Sequence, residues 1–123
     1  MRTQTLDAIH RLLAYGAVAG VVAGIAWSIV LLAGRRTGGP RFERFQAGVV
    51  AVLVVEGAAG LIMLASGGRP REGLHVFYAV VAVALIPLAR SFLGRASGRA
   101  GSLLLLIGFV VLGAVLYRLF TTG

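Results

Sequence analysis

Along the 123 residues, apolar positions come in four long blocks rather than in the spaced stripe of a soluble amphipathic helix. The blocks run from about Leu12 to Ala33, Ala47 to Ala65, Leu74 to Ala89 and Leu103 to Leu116, and charged residues collect between them. With interfacial flanks counted, the pattern predicts helices over about residues 8–33, 46–66, 73–93 and 101–119. At about 1.5 Å of rise per residue, each reaches across a hydrocarbon core of roughly 30 Å. Short connections make neighbouring helices antiparallel. The expected fold is therefore an all-α integral membrane protein, a four-transmembrane-helix up-down bundle forming one domain over 1–123, with Pro87 expected to kink the third helix.

Composition strengthens this reading. Hydrophobic residues make up 59% of the chain, charged residues 13%, and the mean hydropathy is +0.94, leaving too little polar surface for a soluble core protein of this size. The opening stretch MRTQTLDAIHRLLAYGAVAG has the small-residue look of a signal peptide. Its apolar run continues through Leu32, longer than a signal-peptide core, and is read as a mature helix.

The net charge is +8, and every basic residue is an arginine. These arginines fall in separate short loops and form no stripe, which argues against nucleic acid as a partner and points to anionic lipid head groups or the carboxylates of a cofactor. Arg35, Arg36, Arg41, Arg44, Arg90, Arg95 and Arg99 lie on one side of the expected bundle, and Arg2, Arg11, Arg69, Arg71 and Arg118 on the other. The heavier side is expected to face the cytoplasm, placing both termini outside a cytoplasmic (inner) membrane.

Both histidines then fall on the outer side, because His10 opens the first helix and His75 the third, each within its first turn. Neutral imidazole is a common axial ligand of haem iron, and one haem between two helices needs one nitrogen from each face. Below His10 the same face continues through Ala14, Ala17, Val21 and Gly24, with Gly20 at its edge; below His75 it continues through Ala79 and Ala82. Small residues there leave room for a flat macrocycle, with Gly20 and Gly24 as cofactor-facing positions. The Gly16, Gly20, Gly24 spacing equally suits direct helix packing. Arg11, Arg69 and Arg71 stand where haem propionates, or lipid phosphates, would emerge. Asp7, three residues before His10, suits either an N-cap or a partner orienting the imidazole.

Glu56 sits near the middle of the second helix, where a bare carboxylate is costly, so it is expected to be neutral, paired or facing a polar interior. Proton relay, quinone contact and a hydrogen bond to a cofactor edge are open to it. So is a structural bond to a backbone carbonyl across the close approach allowed by Gly57 and Gly60. Zero cysteines exclude disulfides, thiolate metal sites and covalent haem attachment, so any haem is held without covalent links. Phosphate-binding loops, zinc-protease motifs and nucleophile elbows are absent, which argues against nucleotide-driven and hydrolytic roles.

The D-x-x-H-R stretch at Asp7, His10 and Arg11, followed by a Gly/Ala-rich helix, resembles the E-x-x-H-R helix of the haem A synthases. VVEGAAGLIMLASGG is similar to that family's Q-x-x-L-G helix, and GLHVFYAVVAVALI to the helix bearing its second histidine; together the likeness covers about residues 6–90. The resemblance implies a four-helix unit with His10 and His75 as axial ligands of a b-type haem near the outer face. Aspartate and Glu56 replace the family's glutamate and glutamine, no cysteine pair is present, and one half stands where the family has two. The family's methyl oxidation would then need two copies assembled as a homo-oligomer. The leading expectation is a small electron-transfer protein holding one haem b and exchanging electrons with a partner protein or quinone. The alternatives are a cofactor-free accessory subunit of a larger respiratory or photosynthetic complex and a dimeric haem-modifying enzyme.

Overall fold

The computed structural model describes residues 2–36, 39–69, 73–92 and 99–123. They form four helices: α1 (Arg2–Ala33), α2 (Gly39–Ala65), α3 (Leu74–Ser91) and α4 (Arg99–Thr122). All four contain spans long and apolar enough to cross a membrane, of 30, 27, 18 and 23 residues in chain order. Large apolar side chains such as Leu12, Val22, Val30, Leu61 and Val80 point outward as well as inward. Helices that are apolar all round suit a bilayer, where a helix also satisfies its own backbone polar groups.

The helices extend beyond the apolar blocks. α2 begins at Gly39 rather than near residue 46, because the arginine-rich segment is itself helical: Pro40 sits in the first turn, where its missing N–H costs nothing, and Phe42 turns fully inward while Arg41 and Arg44 stay exposed. α1 begins at Arg2, so His10 lies in its third turn rather than its first, and Asp7 is inside the helix rather than its cap. Pro87 is accommodated within α3.

Two helix ends share one stop signal. After α1, Arg35 takes φ +53°, with Arg36 N–H bonded to Leu31 O at 2.9 Å and Arg35 N–H to Leu32 O at 3.3 Å. After α2, Gly67 takes φ +93°, with Gly68 N–H on Met63 O at 2.9 Å and Gly67 N–H on Leu64 O at 3.2 Å. Both are Schellman closures that satisfy orphan carbonyls; glycine supplies the left-handed residue freely, whereas Arg35 adopts it at a cost.

Consecutive helices run antiparallel. Trp27 stacks on Phe42 near one end of the bundle, with ring centres 5.0 Å apart, and His10 meets Glu56 and Gly60 toward the other. α1 packs on α2 and α4, and α3 on α4 and α2, so α1 and α3 stand diagonally opposite. The α2–α3 seam is the loosest of the four. A core of Ala17, Val21, Phe42, Val49, Leu53, Ala82, Ile86, Phe109 and Leu112 fills the middle.

Candidate functional site

The diagonal placement of α1 and α3 would leave their side chains apart, yet His10 and His75 meet across the bundle. Their ring centres are 6.4 Å apart, with planes at 67°. Each ring is anchored by a neighbouring helix through Nδ1. His10 bonds the Glu56 carbonyl of α2 at 3.2 Å, and His75 bonds the Leu119 carbonyl of α4 at 3.1 Å. A carbonyl only accepts, so both Nδ1 atoms carry a hydrogen, which in the neutral ring leaves the Nε2 lone pair free. A backbone acceptor on Nδ1–H is the arrangement that fixes metal-ligating histidines in tautomer and orientation.

Beneath the rings, in the α2–α3 seam, lies a cavity of about 30 Å³, enough for one or two waters. His10, His75, Glu56, Gly57, Ala79 and Ala82 line it, with Leu53, Val83 and Leu119. Glu56 is 8% exposed, and its Oε2 has no hydrogen-bond partner among the described residues. Glu56, expected near the middle of its helix, and the two histidines, expected at the outer end, thus line one cavity. Among the described residues no group of three or more His, Cys, Asp or Glu forms a ready metal site, so the site offers two imidazole nitrogens and a nearby carboxyl group.

Other expected site residues lie elsewhere. Asp7 Oδ2 accepts from Arg11 at 3.0 Å one turn along the exposed side of α1, so that carboxylate is engaged by Arg11 rather than by the imidazole. Gly20 and Gly24 face helices rather than the cavity: a Cβ on Gly20 would stand 3.1 Å from Val49, and one on Gly24 2.6 Å from the Phe109 ring. They are packing positions, deeper in the bundle than the rings. Arg69 is exposed and borders an open pocket with Leu64, Gly67, Gly68, Gly73 and Val76; Arg71 lies outside the described residues.

Sequence reasoning missed Thr122. Its side chain is fully buried at the end of α4, and its Oγ1 lies 3.3 Å from His75 Nδ1. A threonine pair closing an apolar helix carries no distinctive signal, and only its position opposite His75 gives it meaning. Two further buried polar atoms, Ser28 Oγ and Gln46 Oε1, lack partners among the described residues and lie on the core face away from the cavity.

The chain matches no protein-family model, no curated protein and no solved structure.

Proposed function

We propose that the chain is a multi-pass membrane protein of the cytoplasmic membrane that holds one non-covalent haem b between His10 and His75 and passes electrons to a quinone or a partner subunit. The observation that carries this reading is the ring spacing. His10 and His75 would be the residues to hold the iron, one imidazole nitrogen from each of two helices. The rings stand at 6.4 Å, both with Nδ1 tied and Nε2 left for a ligand.

The macrocycle is a stricter test than the iron. A plate about a nanometre across does not fit a cavity of about 30 Å³, so its width must come from the α2–α3 seam. That seam is the loosest in the bundle, and Gly57, Ala79 and Ala82 present nothing larger than a methyl group along it. Bound there, haem supplies one-electron chemistry. The chain's own residues orient the two nitrogens, exclude bulk water and offer the Glu56 carboxyl group as a polar contact beside the rings. The arginine balance favours an outer-side location for the rings, with both termini outside.

Purification in mild detergent with haem supplied tests the reading. The full chain is expected to show a low-spin b-type reduced-minus-oxidised spectrum, lost in His10→Ala and His75→Ala while helical circular dichroism is kept. Retention of that spectrum in both variants overturns the ligand assignment. One observation favours a second reading, a cofactor-free packing subunit: the histidine bonds tie α1 to α2 and α3 to α4 without any ligand. A colourless protein that co-purifies with large membrane subunits would establish it instead.

A further inference from the structure

The cavity between His10, Glu56 and His75 is lined by acceptors with no donor to meet them. Each Nδ1–H is spent on the backbone of a neighbouring helix, Glu56 O at 3.2 Å for His10 and Leu119 O at 3.1 Å for His75, so each neutral ring keeps only its Nε2 lone pair. Glu56 is 8% exposed, and its Oε2 has no partner among the described residues. The rest of the lining is aliphatic, and no arginine belongs to it. Two lone pairs and one carboxyl group inside an apolar bundle call for a cation.

Size narrows the choice. About 30 Å³ holds one or two waters, and so a bare ion, but neither an ion with its hydration shell nor a macrocycle. Ligand type narrows it further: calcium and magnesium take shells of oxygen, whereas imidazole nitrogen suits zinc, copper, iron and nickel. Ligand number and charge then decide. Among the described residues no group of three or more His, Cys, Asp or Glu converges, so the chain offers two nitrogens, with the carboxyl group nearby as a charge. Zinc favours a closed tetrahedral shell, while cuprous copper, a closed-shell ion, is satisfied by as few as two nitrogen donors. An ionised Glu56 offsets a single positive charge; a divalent ion would leave an excess charge inside a bundle surrounded by lipid, which is costly.

We propose that the closed bundle binds one cuprous ion between His10 Nε2 and His75 Nε2, with the Glu56 carboxylate as its counter-charge. The carbonyls on both Nδ1–H groups hold the rings in the tautomer that such ligation needs. The site is independent of the haem reading. The ion uses the cavity as it stands, haem would require the α2–α3 seam to open, and one guest excludes the other because both take the same two nitrogens.

The test titrates the haem-free full chain, in mild detergent and without oxygen, with cuprous copper against the coloured cuprous chelator bicinchoninate. The chain has no cysteine, two methionines and two histidines, so competing copper sites are few. The wild type is expected to take one copper per chain from the chelator, and His10→Ala and His75→Ala none. Glu56→Gln keeps the shape and removes the charge; it should weaken binding by about 10- to 100-fold, the range for losing a partner just outside a metal's ligands. An equal concentration of zinc should not displace the copper. A wild type that takes up no copper, or histidine variants that bind as the wild type does, would overturn the site. Unchanged affinity in Glu56→Gln, or displacement by zinc, would overturn its assignment to a monovalent ion.

Copper K-edge X-ray absorption of the loaded wild type needs no variant and so stands even if a histidine variant fails to fold. Nitrogen neighbours with the outer scattering of imidazole are expected; a sulfur shell, or one without imidazole scattering, overturns the inference. Uptake of haem but not copper defeats this inference alone, and uptake of copper but not haem defeats the haem reading alone. In a protein that takes both, the haem-loaded chain should bind no copper, and copper binding there would overturn the shared nitrogens.

Discussion

Gly16, Gly20 and Gly24 repeat at four-residue spacing on α1, yet the surroundings of each make alanine a different perturbation. At Gly24 the new Cβ would meet three atoms of the Phe109 ring at 2.6, 2.7 and 2.7 Å. That ring cannot easily yield. Phe109 is fully buried, its centre lies 6.3 Å from that of Phe42 at 11° between planes, and Phe42 in turn stacks on Trp27 at 5.0 Å. Forcing a methyl into such a core costs about 1–3 kcal/mol, while replacing glycine within a helix returns up to about 1 kcal/mol. Gly24→Ala should therefore lose about 1–2 kcal/mol, a fivefold to thirtyfold shift toward the unfolded state. At Gly20 the contact is a single Val49 methyl at 3.1 Å, and the two effects should nearly cancel. At Gly16 nothing lies within 4 Å, so Gly16→Ala should be neutral or stabilising by up to about 1 kcal/mol. Reversible unfolding in mixed micelles, followed by far-ultraviolet circular dichroism, ranks the three variants. A Gly24→Ala protein as stable as wild type, or a Gly16→Ala protein as unstable as Gly24→Ala, would refute the packing assigned to α1.

Two further substitutions probe polar groups outside the histidine pair. Gln46 is 2% exposed, and its Oε1 has no partner among the described residues, so Gln46→Met should be neutral or stabilising by about 1 kcal/mol in the same unfolding assay; a loss above about 2 kcal/mol would reveal a polar partner. The Asp7–Arg11 pair has side chains 51% and 65% exposed, so Asp7→Asn should change stability by less than about 0.5 kcal/mol and leave haem retention unaltered. A marked drop in haem retention would mean that the carboxylate reaches His10 instead of Arg11.

The four spans were legible because apolar blocks of this length leave few alternatives for a backbone that must satisfy itself in lipid. The helix ends were less so. Residues 39–45 carry three charges among two phenylalanines, and charge density suggested a loop, whereas the i, i+3 spacing of Phe42 and Phe45 is what carries the helix inward. That His10 and His75 lie toward the same end of the bundle was legible from alternate helices in an up-down order, whereas the third-turn position of His10 was not. Nor were their anchors, because Glu56 O and Leu119 O are backbone atoms of other helices and carry no residue-type signal. The same limit explains Gly20 and Gly24: small residues below a histidine look alike whether a cofactor or a phenylalanine lies opposite, and only the tertiary neighbours Val49 and Phe109 decide between them.

Haem stoichiometry tests the central claim most directly: pyridine haemochrome quantitation of the wild-type chain, purified in mild detergent after expression with ample haem. The expected result is about one protohaem per chain with the low-spin spectrum of two imidazole ligands. A folded, helical protein that carries no haem and takes up none on titration would contradict it, leaving His10 and His75 as cross-braces between helices.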